Sequence, residues 1–306
     1  MRKLHKNIET PGNMKGYIFI MRKIIIDCDN TFGVEGCDLD DGLAIIYALG
    51  TGKCDLLGVT TTFGNNTLEV VSPNTTRFIK DIGMEQIPVH FGHESDAWEN
   101  KAAEYLVEIT KTHPNEISVV ALGSLTNLYH AYLRDPAFFD RVDVLSCMGG
   151  TTEPLIIMGK VLNELNFSCS SEAAYHVLTK ARNVKIATGN ICLDALFTKI
   201  RFDELRQSEN PFLLWLNSKG QYWFDREKEY FGHDGIYKWD IYAVAIILYP
   251  ELFESNFVKI SPDLESMKSG NLIGNGDTRT VDIPVIKNVS EYIENVYEAY
   301  ERFASR

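Results

Sequence analysis

This chain has little of what marks several large protein classes. Only six of its 306 residues are cysteine. Cys28, Cys37, Cys54, Cys147, Cys169 and Cys192 are scattered, with no CxxC pair, which reads as reduced thiols of a cytoplasmic protein rather than a disulfide scaffold. A zinc site at Cys28 and Cys37 would need further cysteine or histidine close by, and the surrounding sequence offers none. No apolar run approaches the ~20 residues of a membrane span, and Tyr17–Ile20 is too short for the apolar core of a secretory signal. Basic residues are in the minority, 30 Lys and Arg against 42 Asp and Glu, for a formal charge of −12. That balance argues against a nucleic-acid partner. It leaves a small ligand open, because a local field can oppose the global charge. There is no Walker loop, GxGxxG fingerprint, Ser/His/Asp order, internal repeat or linker.

What is present is an alternation of apolar β-rich runs with helical patterns, at 45% hydrophobic content. The strands expected are 23–26, 56–61, 88–91, 118–122, 142–148 and 184–188. Between them, helical patterning covers 41–49, 67–82, 102–112, 125–133 and 172–178. This implies βαβ units and one α/β domain: an open, mainly parallel (mixed) β-sheet flanked by helices. Further on, 211–231 and 241–248 read as helices, Pro250 stopping the second. Glycines in 271–283 suggest a hairpin or meander, and Ser290 is expected to N-cap a last helix ending near Phe303. Residues 1–20 carry no periodicity and read as an N-terminal extension, disordered or a mis-assigned start. The folded domain is expected over 21–306.

The most informative run is IIIDCDNTFGVEGCDLDDGLAIIYAL, residues 24–49. A short apolar strand ends in Asp27 and Asp29. A glycine-containing loop follows, and Asp40 and Asp41 then open a helix. Up to four carboxylates converge on the C-terminal end of a buried strand, the edge where open α/β sheets bind ligands. Crowded carboxylates need a cation or a shared proton, and a hard divalent cation with oxygen ligands answers that need. An acidic first helical turn would account for Asp40 and Asp41 but not for Asp27 and Asp29.

Four more segments carry polar groups at element ends. Thr60–Asn66 (TTTFGNN) follows the second strand, where its Gly-Asn pair serves either a ligand or an ordinary turn. Ala121–Leu128 (ALGSLTNL) is a strand–turn–helix whose strand-end carbonyls are free to ligate a metal. In Leu162–Phe167 (LNELNF), Asn163, Glu164 and Asn166 suit a hydroxyl-rich ligand, because such groups donate and accept. In YKWDIYAVAIILYPELF, Asp240 heads an apolar helix with Trp239 directly before it. His233 and Asp234 sit in a glycine-flanked loop, and adjacent residues point apart.

The string IIIDCDNT resembles the haloacid dehalogenase-like phosphatase signature, on which Asp27 would be the nucleophile, Asp29 the acid/base and Mg²⁺ the cofactor. That family's distal acidic pair follows a later strand, whereas here Asp40 and Asp41 follow at once. The whole set instead resembles the inosine–uridine-preferring nucleoside hydrolase family. Its motifs read here, in order, DCDN…DLDDGLA, FGNN, GSLTN, NELN and KWDIYAVA…YPELF, across residues 24–253.

That resemblance implies Ca²⁺-dependent hydrolysis of the N-glycosidic bond of ribonucleosides. Asp29 would be a Ca²⁺ ligand and the base that takes a proton from a metal-bound water. Asp41, the Leu122 carbonyl and Asp240 would complete the protein ligands. Asp40, Glu164 and Asn166 would grip the ribose hydroxyls, and Asn65 would line the same pocket. Cleavage would pass through an oxocarbenium-like ribosyl cation. A homodimer or homotetramer is implied too.

Three departures from the family pattern stand out. The first loop carries a seven-residue insertion, so Asp38 rivals Asp40 or Asp41. Met158 stands where an asparagine is expected six before the glutamate. Trp239 replaces the histidine implicated in protonating the leaving base. A Trp-Asp there resembles the purine-specific branch, in which tryptophans stack on the base, and Trp98 is a candidate for the opposite wall. A third reading is a nucleoside- or ribose-binding protein without turnover.

Overall fold

In the computed structural model, which describes residues 21–306, the central sheet has eight strands. The order across it is Phe257–Ile260, Arg279–Asp282, Val184–Ala187, Val142–Met148, Ile117–Ala121, Arg22–Cys28, Cys54–Thr61 and Val89–Phe91. Every neighbouring pair is parallel except Phe257–Ile260 with Arg279–Asp282, at one edge. Strands buried on both faces read as unbroken apolar runs, and Ile24, Ile25 and Ile26 are completely buried. The expected single-domain, mainly parallel sheet is the one found. The expected extension over 1–20 lies outside the described residues.

The first strand holds the position that matters. Chain order runs outward from it in both directions, to Cys54–Thr61 on one side and Ile117–Ala121 on the other. Its C-terminal end is therefore a topological switch point, where the connections diverge and leave a crevice. Asp27 is in register with Thr60 and Ala121. Backbone bonds from Leu122 N to Asp27 O (2.7 Å) and from Thr62 N to Cys28 O (2.9 Å) hold the three strand ends level.

Two helices buried nearly all round pack on this sheet, Asp40–Thr51 and Trp239–Leu248. Helices of that kind belong in a core, and each carries its acids in the first turn. The long helix Pro211–Phe231 starts at Asn210, whose side chain accepts from Phe212 N and Leu213 N, with Pro211 in the first turn. It ends at Gly232, which takes a left-handed φ of 82°.

Two expectations at element level change, and one element is new. The last helix is Val289–Ala304, capped by Asn288 rather than Ser290; the Asn288 side chain accepts from Glu291 N, which places Ser290 inside the first turn. The meander over 271–283 supplies one strand, Arg279–Asp282, whose antiparallel partner Phe257–Ile260 lies earlier in the chain. Before the NELN segment a short hairpin forms, Leu155–Ile157 with Lys160–Leu162.

Candidate active site

Asp29 lies just past the first strand, completely buried. Its Oδ2 accepts from the Asn65 backbone N–H at 2.5 Å, and the Asn65 side-chain amide reaches Asp29 Oδ1 and Asp41 Oδ2 at 3.4 Å each. The Asp29 N–H donates to Asp41 Oδ1 at 3.2 Å. Two glycines let the neighbouring loops close on this carboxylate. A Cβ on Gly64 would overlap Asp29 Oδ2, and one on Gly123 would lie 3.0 Å from Asp29 Cγ and Oδ1.

Asp40 and Asp41, from the first turn of their helix, meet Asp240, from the first turn of Trp239–Leu248. One carboxylate oxygen of each lies within 4.8 Å of the others, and all three are buried. Burial pushes all three well above the usual carboxylate range, and repulsion from neighbouring carboxylates, Asp29 and Asp38 among them, adds to it. Asp29 is pushed up to about 7, mainly by burial. The cation next in sequence, Lys238, is turned away, with its Nζ 4.3 to 4.8 Å from the rings of Phe197, Tyr297 and Tyr300. A buried set of oxygen donors of one sign fits a hard divalent cation.

Asn166 and Leu122, expected to serve sugar and metal respectively, are joined: Asn166 Nδ2 donates to Leu122 O at 2.8 Å and to Met148 O at 3.1 Å. The Glu164 carboxylate accepts from the N–H groups of Phe167 (2.9 Å) and Ser168 (3.0 Å), which orients it in a buried position. Its pKa is raised, burial outweighing those bonds.

Most of these groups border a single cavity of about 460 Å³, within the usual range for a small-molecule site; Asp29 and Asp41 stand behind its lining, both in contact with Asn65, which borders it. Asp40, Asn65, Leu122, Glu164, Asn166, Trp239 and Asp240 all border it. Asp38 does too, but Arg226 pairs with it and draws it toward the Pro211–Phe231 helix. That helix contributes Trp223, Arg226, Glu227, Tyr230 and Phe231 to the wall, and Met148, Leu155, Leu162, Asn163, Leu165 and Gly189 complete it. None of the helix residues was singled out from sequence. Their i, i+3, i+4, i+7, i+8 spacing marks one helical face, but an aromatic stripe alone does not distinguish a cavity wall from a core.

Other expected residues lie elsewhere. Asp27 sits beneath the site and does not border the cavity; its Oδ1 accepts from Thr60 Oγ1 (2.5 Å) and Asn127 Nδ2 (2.7 Å). With that oxygen committed to two donors of the scaffold, Asp27 serves the sheet edge, and the phosphatase reading built on it finds no support here. Trp98 is 69% exposed, away from the cavity, with Arg134 over its ring at 5.4 Å. Trp223 stands in the wall instead. Met158 occupies the tip of the short hairpin with a φ of 48° and points to solvent. His233 stacks on Phe231 at 5.7 Å without bordering the cavity.

The family model for inosine-uridine preferring nucleoside hydrolases matches residues 24–294. Among curated proteins, a probable uridine nucleosidase 1 of Oryza sativa subsp. japonica is 29% identical over 262 residues, covering 76% of this chain and 78% of its own. An inosine-uridine preferring nucleoside hydrolase of Leishmania major is 26% identical over 280 residues, covering 79% and 84%. Among solved structures, a plant nucleoside hydrolase superposes with a TM-score of 0.80 at 22% identity, over 93% of this chain and 99% of its own. A purine-preferring ribonucleoside hydrolase from Gardnerella vaginalis gives 0.79 at 20% identity, over 92% and 99%.

Proposed function

Because this chain belongs to the inosine-uridine preferring nucleoside hydrolase family and is an N-glycosyl hydrolase of ribonucleosides, we propose that it is calcium-dependent, prefers purine ribonucleosides and uses Asp29 as its general base. The observation that carries this reading is the meeting of Asp40, Asp41 and Asp240 beside a cavity whose wall includes Trp223, Tyr230, Phe231 and Trp239.

Asp29, Asp41, Asp240 and the Leu122 carbonyl would hold Ca²⁺, with Asp40 close enough to share it. When bound, the ion would neutralise the cluster, orient the ribose diol and acidify the attacking water.

The chain's own groups perform the rest. Asp29, pinned by Asn65, takes the proton of the attacking water; burial makes its carboxylate a stronger base than an exposed aspartate. Asp40, Glu164, Asn166 and Asn65 hold the ribose hydroxyls through oriented acceptors and amides. The same negative groups favour the positive charge that develops on the sugar as the glycosidic bond lengthens. Trp239, half-buried in the wall, offers its indole to the base, and Trp223, 1% exposed, backs the wall. A protonated purine over an indole is stabilised by ~0.5–2 kcal/mol. The protein acts in the cytoplasm, consistent with six unpaired cysteines, as a homodimer or homotetramer.

A pyrimidine preference has one specific observation in its favour: several relatives at 26–29% identity are named uridine nucleosidases. A panel of ribonucleosides, with base release resolved by chromatography in calcium and in chelator, decides between the two. Calcium-dependent release of hypoxanthine or adenine supports the purine reading. Release of uracil alone replaces it with the pyrimidine one. Binding of nucleosides without release of any base would leave a ribose-binding protein without turnover.

A further inference from the structure

The histidine expected to protonate the departing base is Trp239, which has no proton to give. The cavity wall offers a replacement. On the Pro211–Phe231 helix, Glu227 lies one turn after Trp223 and one turn before Tyr230 and Phe231, so all four share the face that borders the cavity. Its side chain is 13% exposed. We propose that Glu227 is the general acid that protonates the leaving base, an inference that rests on the nucleoside hydrolase reading above.

The alternatives on the same wall are weaker. Indole and phenyl rings carry no transferable proton, and Tyr230 is 54% exposed. Asp38 makes the closer of the two carboxylate contacts of Arg226, the other being to Glu227. Three groups with charge or a titratable proton face Glu227: Arg226 beside it, Asp38 from the first loop, and Tyr237 from the Gly235–Tyr237 strand. Arg226 Nη2 lies 3.2 Å from Glu227 Oε1 and also bonds Asp38. Asp38 thereby shares the guanidinium charge, so Glu227 is not committed to a full ion pair. Burial raises the Glu227 pKa, Arg226 lowers it, Asp38 raises it, and the net shift is upward. A carboxyl that keeps its proton toward neutral pH is the form an acid catalyst needs.

The step balances. The bond from C1′ to the base nitrogen breaks and its electron pair stays on the base. The Glu227 carboxyl proton passes to a ring nitrogen of that base, leaving glutamate as carboxylate. The water oxygen bonds to C1′ and its proton goes to Asp29. Solvent then returns a proton to Glu227 and accepts the one on Asp29.

The test compares Glu227→Gln with the wild type on two substrates, the fastest nucleoside of the panel and p-nitrophenyl ribofuranoside, whose phenolate departs without protonation. Removing a general acid costs about 10²–10⁴-fold in rate. The expected result is a loss of at least ~100-fold in kcat on the nucleoside, with p-nitrophenyl ribofuranoside hydrolysis little changed. Equal losses on both substrates, or full nucleoside activity, would overturn the assignment. A second measurement needs no variant: the wild-type kcat/KM for the nucleoside should fall at alkaline pH as Glu227 ionises, and this limb should be missing for p-nitrophenyl ribofuranoside. The same limb on both substrates would overturn the assignment even if Glu227→Gln fails to fold. A wild type inert toward both substrates would overturn the hydrolase reading itself, and the assignment with it.

Discussion

Asn127 donates its side-chain amide to Asp27 Oδ1 at 2.7 Å and to the Thr61 carbonyl at 2.9 Å, tying the helix Thr126–Arg134 to two strand ends beneath the active site. Asp27 is thus a strut of the site floor, not a reacting group. Its carboxyl is pushed up to about 7 by burial, and these bonds from Asn127 and Thr60 oppose the rise. Asn127→Leu strips one donor from a buried acid and should destabilise the protein by about 1–3 kcal/mol. Denaturant titration measures this, and a variant as stable as the wild type would mean that Asp27 does not need the bond.

Calcium should raise the melting temperature of the wild type. At a free concentration 100-fold above Kd the stabilisation is about 2.7 kcal/mol. Asp41→Ala and Asp240→Ala should lose this response together with nucleoside hydrolysis. Identical melting with calcium and with chelator would remove the cation from the account.

Trp239 is half-buried in the cavity wall, 5.3 Å from the Tyr237 ring. Base–aromatic stacking contributes about 1–3 kcal/mol on alanine substitution. Trp239→Ala should therefore reduce kcat/KM for purine ribonucleosides by roughly 5- to 150-fold, and Trp239→Phe should restore most of it. If purine and pyrimidine substrates suffered alike from Trp239→Ala, stacking would not be the source of preference.

Gly64→Ala probes how tightly Asp29 is held. Its Cβ would meet Asp29 Oδ2, the atom that accepts from Asn65 N. The carboxylate must rotate or the loop must retreat, and a general base displaced by about 1 Å costs on the order of 10²-fold in rate. If Asp29 is the base proposed above, we expect a large fall in kcat, with the more distant Glu164 and Asn166 undisturbed. An unaffected kcat would show that the Asn65 contact is dispensable.

His130 gives a pH dependence of stability. Its Nδ1 lies 2.9 Å from the Asn100 side-chain amide, so the neutral ring accepts there. Burial lowers its pKa below the ordinary 6.5, and the charge of nearby His93 adds to this. With the folded value depressed, the unfolded chain binds the proton first. The contribution of His130 is therefore complete above about pH 6.5 and is lost as pH falls below it. His130→Gln should flatten that part of the profile. Parallel stability curves for the two proteins between pH 7.5 and 5 would contradict this.

Much of the site was legible in the chain because its groups lie at element ends. A strand ending in acids, a helix opening with acids and a carboxamide after a turn are local patterns, and Asp40, Asn65, Glu164, Asn166 and Asp240 border one cavity, with Asp41 clustered on Asp40 and Asp240. Asp38 shows the limit. Its place in the first loop made it a rival for the metal, yet Arg226, 188 residues away, pairs with it. Trp98 shows another: a tryptophan after a strand suggested a wall, but the loop that carries it turns outward and Arg134 covers its ring.

By itself the sequence determined the alternation of strands and helices and the gathering of acids at the C-terminal end of the first strand. Each follows from periodicity or from residues at the ends of elements, which are local properties of the chain. Only the tertiary structure decided which face of the Pro211–Phe231 helix closes the cavity. That choice placed Trp223, Glu227 and Phe231 beside Trp239 and turned Tyr222 to the carbonyl of Cys37 at 2.7 Å. The physical reason is that an aromatic stripe at helical spacing can bury against any apolar partner, and the partner is chosen by contacts far apart in the chain.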